Sequence, residues 1–166
     1  GKKVARLAQA FGMTVTYYDI RRLSEDQEDA LGVRFRLLDE MLEAADVVTL
    51  HVPLNESTHH LINADRLARM QASSILVNTS RGPVVDETAL TEALTARRLF
   101  AAGLDVFNDE PPAPANALFA LDNVVLTPHL AGPTYESHEA RIRNGFDNVQ
   151  RVARGEAPLW VIPELG

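Results

Sequence analysis

Apolar, β-branched runs and amphipathic helical stretches take turns along this chain roughly every 25 residues, which predicts parallel β-α-β units and a doubly wound sheet. Val4, Leu7, Ala8 and Phe11 stand at i, i+3, i+4 and i+7, so residues 2–12 read as an amphipathic helix stopped by Gly12. Residues 13–19 are rich in β-formers and end on the carboxylate of Asp19. Residues 24–31 are charged and read as a short solvated helix or turn, residues 33–36 as a short edge strand, and residues 37–45 as a helix. Residues 46–50 form a strand closed by His51-Val52-Pro53, and 54–60 a polar loop. Asn63 suits the cap of a helix over 64–70. A strand over 75–77 precedes a helix capped by Asp86, with Leu90, Ala93 and Leu94 as its core stripe. Strands over 100–106 and 123–126 flank a proline-rich loop at 108–116. Residues 135–153 read as a long helix ended by Gly155.

One element of this pattern is out of place. A dinucleotide-binding fold opens with a strand, a glycine-rich turn and a helix whose amino end meets the pyrophosphate. This chain opens on Gly1 and enters the helix directly, and the next strand ends in an acid about 20 residues on, where such folds hold a ribose. The simplest reading makes Gly1 the last glycine of a G-x-G-x-x-G turn. The expectation is then a Rossmann-type sheet truncated at its amino end, without the central strand that the strands at 13 and 46 share as a neighbour. Both would present unpaired backbone groups. The plainer alternative is a smaller α/β sheet in which Gly1 is an ordinary leading residue.

Composition narrows the function. A net charge of −7 argues against a nucleic-acid partner, since phosphate binding needs a basic face. No apolar run approaches the ~18 residues of a membrane span, and Gly1-Lys2-Lys3-Val4 has no apolar signal core. The sequence has no cysteine, which excludes disulfides, thiol nucleophiles and cysteine-ligated zinc and is compatible with a cytoplasmic setting.

Reactive side chains then gather at three successive strand ends. Arg81 follows the strand at 75, Glu110 lies in the loop after the strand at 100, and His129 follows the strand at 123. In open α/β sheets that edge binds ligands. A guanidinium clamps a carboxylate in a two-pronged way and polarises a neighbouring carbonyl. A histidine delivers or accepts the proton on that oxygen, and a carboxylate beside the imidazole orients it. With a nicotinamide, this set suits hydride transfer between a 2-hydroxy and a 2-oxo acid.

The segments Val77-Asn78-Thr79-Ser80-Arg81-Gly82-Pro83-Val84-Val85-Asp86, Gly103-Leu104-Asp105-Val106-Phe107 with Glu110-Pro111, and Thr127-Pro128-His129-Leu130-Ala131-Gly132 resemble those of the D-isomer-specific 2-hydroxyacid dehydrogenases. Residues 45–54 and 5–13 look like that family too. The resemblance implies NAD as cofactor, with Arg81 on the substrate carboxylate and carbonyl, His129 as acid/base and Glu110 paired with it. It implies that Asp19 holds the adenine ribose, that Gly1 lies at the pyrophosphate, and that His51, Pro53, Thr58, Thr79, Ser80, Asp105, Ala131 and Gly132 lie along the cofactor. It implies a small-molecule 2-hydroxy or 2-oxo acid as substrate and a homodimer, beside the expectation from composition of no nucleic-acid or membrane partner. Glu110 stands where formate dehydrogenases of the family have Gln, which argues against formate. Residues 1–133 would be a partial dinucleotide-binding domain, and 134–166 a long helix and tail returning toward a substrate domain built mostly from residues upstream. The related C-terminal-binding corepressors keep the same triad, so a dinucleotide-sensing module without turnover, or an inactive fragment of the dehydrogenase, stays open beside the enzyme.

Other residues admit sharper and plainer readings. Arg21 and Arg22 follow Asp19, and an arginine there could pair with a 2′-phosphate, though the carboxylate would repel it. His51, His59 and His60 invite a metal reading, but His59 and His60 are adjacent, point apart on most backbones and have no carboxylate pair at ligand spacing. His138 is expected on the exposed face of the last helix, Ile142, Phe146, Val149 and Val152 form one stripe of it, and Trp160 is expected to pack against another domain or a partner.

Overall fold

Four parallel strands, at residues 47–50, 75–78, 101–104 and 124–126 and side by side in that order, carry the site, and a separate parallel pair, at 15–17 and 33–35, precedes them in the computed structural model. The structure describes residues 1–132, 134–159 and 161; Trp160 lies outside the described residues. Along the chain run α1 (Lys2–Ala10), β1 (Val15–Tyr17), α2 (Glu25–Leu31), β2 (Val33–Phe35), α3 (Leu38–Ala44) and β3 (Val47–Leu50). They are followed by α4 (Ala64–Arg69), β4 (Ile75–Asn78), α5 (Glu87–Thr95), β5 (Ala101–Leu104), β6 (Val124–Leu126) and α6 (Tyr135–Ala153). Short 3₁₀ turns at Gly82–Val84 and Ala117–Ala120 were not foreseen from sequence. The chain forms two units, Gly1–His129 and Leu130 onward.

Within the first unit each predicted element is present, most of them trimmed at their ends and the strand read at 75–77 one residue longer. The caps behave as their chemistry dictates. Asn63 accepts from Arg66 N at 3.0 Å and Asp86 from Ala89 N at 3.0 Å, each satisfying an amide that the helix cannot. Gly12, at φ 81°, ends the turn after α1 in a conformation that disfavours side chains. The core sits between the four-stranded sheet and its helices. Leu76, Leu90, Leu94 and Leu99 are almost wholly buried, and the stripe Leu90, Ala93, Leu94 faces inward as read.

The register places the site. Leu50 pairs with Asn78, Asn78 with Leu104, and Leu104 with Leu126, so the strands finish in step. Their outgoing loops therefore rise side by side along one edge. Among the described residues β1 pairs with β2, Val15 opposite Val33, and β3 pairs with β4. The helix α1 buries none of its residues: Leu7 is 61% and Phe11 84% exposed.

One reading needs correction. The segment 24–31 is a helix, but it is not solvated all round. Glu28 is 4% exposed, because Tyr17 and Arg22 surround its carboxylate and satisfy it.

In the second unit, Thr134 and Ser137 form a capping box at the start of α6, and Asn148 exchanges two hydrogen bonds with the backbone of Leu159, both 2.7 Å. Ile142, Phe146, Val149, Val152 and His138 are exposed. No helix among the described residues is long and apolar enough to cross a membrane.

Candidate active site

The loop after β4 is built around Asn78, a buried polar residue at the strand's end. Its Nδ2 donates to Arg81 O at 2.9 Å, while its Oδ1 accepts from Ser80 N at 3.0 Å and Ser80 Oγ at 2.8 Å. A buried amide that meets its own loop at both ends leaves little freedom to Thr79–Arg81. Gly82 comes next and lies against the backbone of Phe107 and Asn108 so closely that a Cβ there would overlap the Phe107 carbonyl group. Only glycine permits that approach. It joins the Arg81 loop to the loop that carries Glu110.

That second loop has its own anchors. Glu110 Oε1 accepts from Phe107 N at 3.1 Å. Glu87, at the start of α5, accepts from Asn108 N and from Asn116 Nδ2, both at 2.9 Å. Asp105, 3% exposed, accepts from Thr127 Oγ1 at 2.6 Å, and its carbonyl accepts from His129 N at 2.9 Å. These two bonds tie the end of β5 to the end of β6. They also hold His129 at φ 55°, a left-handed conformation that costs about 1 kcal/mol or more and persists where the surroundings over-determine it.

The outcome is a histidine–carboxylate pair, His129 Nδ1 to Glu110 Oε2 at 2.7 Å. An ionised carboxylate only accepts, so Nδ1 carries the proton and Nε2 is left for other work. The hydrogen bond from His129 holds the Glu110 carboxyl below the usual carboxylate range, although burial opposes it; the Phe107 amide and the charge of Arg81 add to the lowering. Arg81 stands in the adjoining loop, which meets this one where Gly82 lies against Phe107 and Asn108. Both members of the pair stay partly open, with side chains 45% and 36% exposed. Beside them Phe107, Phe119, Pro111, Pro112 and Leu126 line an open, largely apolar cleft of about 450 Å³. Another depression, of about 470 Å³, lies at the amino end of β5 and β6, away from these loops.

The residues expected along a cofactor lie as follows. Thr79 and Ser80 occupy the β4 loop and Asp105 the end of β5. Thr58 Oγ1 donates to Pro53 O at 2.6 Å and accepts from Asn55 N at 2.8 Å, closing the loop after β3. His51 Nε2 lies 3.1 Å from Thr49 Oγ1, and a Cβ on Gly1, the N-cap of α1, would come within ordinary contact of its ring. Asp19 is exposed just past β1, its Oδ1 accepting from Arg21 N at 2.8 Å. Ala131 and Gly132 fall in the second unit. His129 and Glu110 are thus paired, with Arg81 in the adjoining loop donating from its guanidinium to Ser80 O at 2.6 Å, whereas Asp19 belongs to the other sheet and shares no hydrogen bond with them among the described residues.

An exposed carboxylate at a strand end and a helix beginning on glycine suit a nucleotide's ribose and pyrophosphate, so the residues present fit a dinucleotide. The adjacent histidines depart from expectation. Their rings stack at 4.0 Å because His60 adopts φ 50°, which turns it back beside His59. Among the described residues no three His, Asp or Glu gather closely enough to hold a metal. Asn78, Glu87 and Thr127, the supports of the site, were not singled out from sequence; only Gly82, beside the arginine, carried a visible sign.

Residues 1–131 match the family model for the NAD-binding domain of D-isomer specific 2-hydroxyacid dehydrogenases. The chain is 48% identical over 159 residues to a glyoxylate reductase of Korarchaeum cryptofilum, a match covering 95% of the chain and 47% of the relative. A hydroxypyruvate reductase of Thermotoga maritima is 42% identical over 154 residues, covering 92% of the chain and 48% of that protein. Among solved structures, a glyoxylate reductase from Paecilomyes thermophila superposes with a TM-score of 0.89 at 35% identity, covering all of this chain and 50% of that one. The chain spans about half the length of the relatives it matches. It belongs to the D-isomer specific 2-hydroxyacid dehydrogenase family and carries that family's NAD-binding domain.

Proposed function

We propose that the protein containing this chain is an NAD-dependent oxidoreductase that acts on the CH–OH group of a small D-2-hydroxy acid, or on the keto group of the matching 2-oxo acid. The observation that carries the reading is the 2.7 Å His129–Glu110 hydrogen bond beside the Arg81 loop. Arg81 binds the substrate carboxylate and draws electron density from the neighbouring carbonyl oxygen. His129 Nε2 gives that oxygen its proton during reduction and takes it back during oxidation. Glu110 holds the ring's orientation and fixes the tautomer that leaves Nε2 facing the substrate oxygen. Bound NAD supplies the hydride acceptor in oxidation, and NADH the hydride donor in reduction. Asp19 receives the adenine ribose hydroxyls and Gly1 lies at the pyrophosphate. His51, Pro53, Thr58, Thr79, Ser80, Asp105, Ala131 and Gly132 lie along the rest of the nucleotide. The names of the relatives favour a short 2-oxo acid of the glyoxylate or hydroxypyruvate type.

We further propose that the segment from 134 onward returns toward a substrate-binding domain, that the protein pairs with a second copy, and that it works in the cytoplasm. The test of the activity is NADH absorbance in the full-length protein with glyoxylate, hydroxypyruvate and pyruvate. Arg81→Gln and His129→Gln are expected to abolish turnover. Full activity in either variant overturns the mechanism, and NADH binding without turnover of any 2-oxo acid points to a sensing module instead.

A further inference from the structure

The proposed chemistry leaves one buried acid unused. Glu28, on α2, is 4% exposed, and its Oε1 accepts from Tyr17 Oη at 3.0 Å and from Arg22 Nε at 3.1 Å. The Tyr17 hydroxyl in turn accepts from Leu23 N at 2.8 Å. The guanidinium of Arg22 lies over the Phe35 ring, 5.0 Å from its centroid. The last residues of β1 and β2 and the middle of α2 thus close around one carboxylate. Such a charge is tolerated out of water only because it is paired and hydrogen-bonded.

The segment tied down in this way, 19–23, follows the strand whose end the nucleotide reading assigns to the ribose. It carries Asp19, Arg21 and Arg22. A carboxylate there favours a free 2′-hydroxyl, whereas an arginine favours a 2′-phosphate. Arg22 forms its ion pair with Glu28, while Asp19 accepts only from the Arg21 backbone among the described residues. We propose that Glu28 is a positioning residue for cofactor choice: by pairing with Arg22 it withdraws that charge from the ribose and leaves Asp19 to set the preference for the unphosphorylated dinucleotide. The inference rests on the reading of Asp19 as the ribose-holding residue.

The test uses the full-length protein, with NADH and NADPH each titrated by fluorescence and the two dissociation constants compared as a ratio. Glu28→Gln removes the charge and keeps the size. It is expected to shift the ratio toward NADPH about tenfold, the size of one charge-assisted hydrogen bond. Adding Arg22→Gln is expected to cancel that gain, and adding Arg21→Gln to leave it. A folded Glu28→Gln protein with an unchanged ratio overturns the proposal, as does a gain that survives Arg22→Gln. Arg22→Gln alone, in the natural background, keeps the question decidable should Glu28→Gln fail to fold. It is expected to leave the ratio unchanged, and a tenfold loss of NADPH affinity shows that Arg22 already reaches the ribose and sinks the idea. Asp19→Ala separates the two layers. An unchanged ratio there brings down the ribose reading itself, while a shifted ratio beside an inert Glu28→Gln brings down only the role of Glu28.

Discussion

The four-stranded half of the first unit and the two-stranded half are held together by different forces. From Leu38 to Leu118 the interior is a continuous apolar cluster, with Leu42, Ile62, Leu76 and Leu94 fully buried. Before Leu38 the buried residues are Val33 and Glu28. There the packing is a polar knot around a carboxylate, assisted by an edge-to-face Tyr17–Phe35 pair at 5.7 Å. The chemistry follows the division. The proposed reacting groups stand on the tightly packed sheet, where small displacements are costly. The proposed ribose end stands on the polar half.

Breaking that comparison begins where backbone meets backbone. Gly82→Val is expected to be the most damaging single change in the 166-residue chain, lowering stability by about 3 kcal/mol or more because the Phe107 carbonyl cannot yield as a side chain can. A thermal melt within a few degrees of the natural chain would contradict the close approach. Leu94→Ala, in the core, is expected to cost roughly 2–5 kcal/mol by leaving a cavity. Urea titration measures it, and a loss below 1 kcal/mol would mean the helix α5 collapses freely onto the sheet.

A smaller effect concerns acid. Because Glu110 is held below the ordinary carboxylate range in the folded chain, its pairing stabilises above the unfolded carboxylate's titration and is lost as pH falls through the lowered value. The melting difference between the natural chain and Glu110→Gln should therefore be present near neutral pH and shrink on acidification through and below the ordinary carboxylate range. A difference that grows on acidification would contradict the pairing. Smallest of all, Leu7→Ser on the exposed face of α1 is expected to change the stability of this chain by no more than ~0.5 kcal/mol. Hydrogen exchange sharpens the same contrast: β4 and β5 amides should be the slowest to exchange and those of α1 among the fastest.

The contrast also explains what could be read from the sequence. Strands β3 to β6 were legible because their apolar runs, with β-branched residues in all but β5, end in turn residues, and their parallel order makes a line of reactive ends from Arg81 to His129 intelligible before any coordinates. The family resemblance and the matching domain model agree over nearly the same residues. Local pattern could not disclose contacts made at a distance. Glu28 looks like any surface acid of a charged helix, since Tyr17 and Arg22 reach it through the fold. Glu87 looks like an ordinary first-turn acid, and its hold on Asn108 and Asn116 spans more than 20 residues. The stacking of His59 on His60 depends on one backbone angle that no propensity dictates. Conversely, the apolar spacing of α1 did foretell a helix, but amphipathicity alone does not say what covers the apolar side.

The meeting of Gly82 with Phe107 has a mechanical consequence. No methyl group fits between these backbones, so the two loops have no room to slide past each other. The guanidinium of Arg81 and the carboxylate of Glu110 therefore ride on a single rigid ledge, and the bonds from Asp105 to Thr127 and His129 extend that ledge to the imidazole. Any opening and closing around a substrate must pivot elsewhere in the protein, and the proposed acid, its orienting partner and the anion clamp would travel through that motion as one piece.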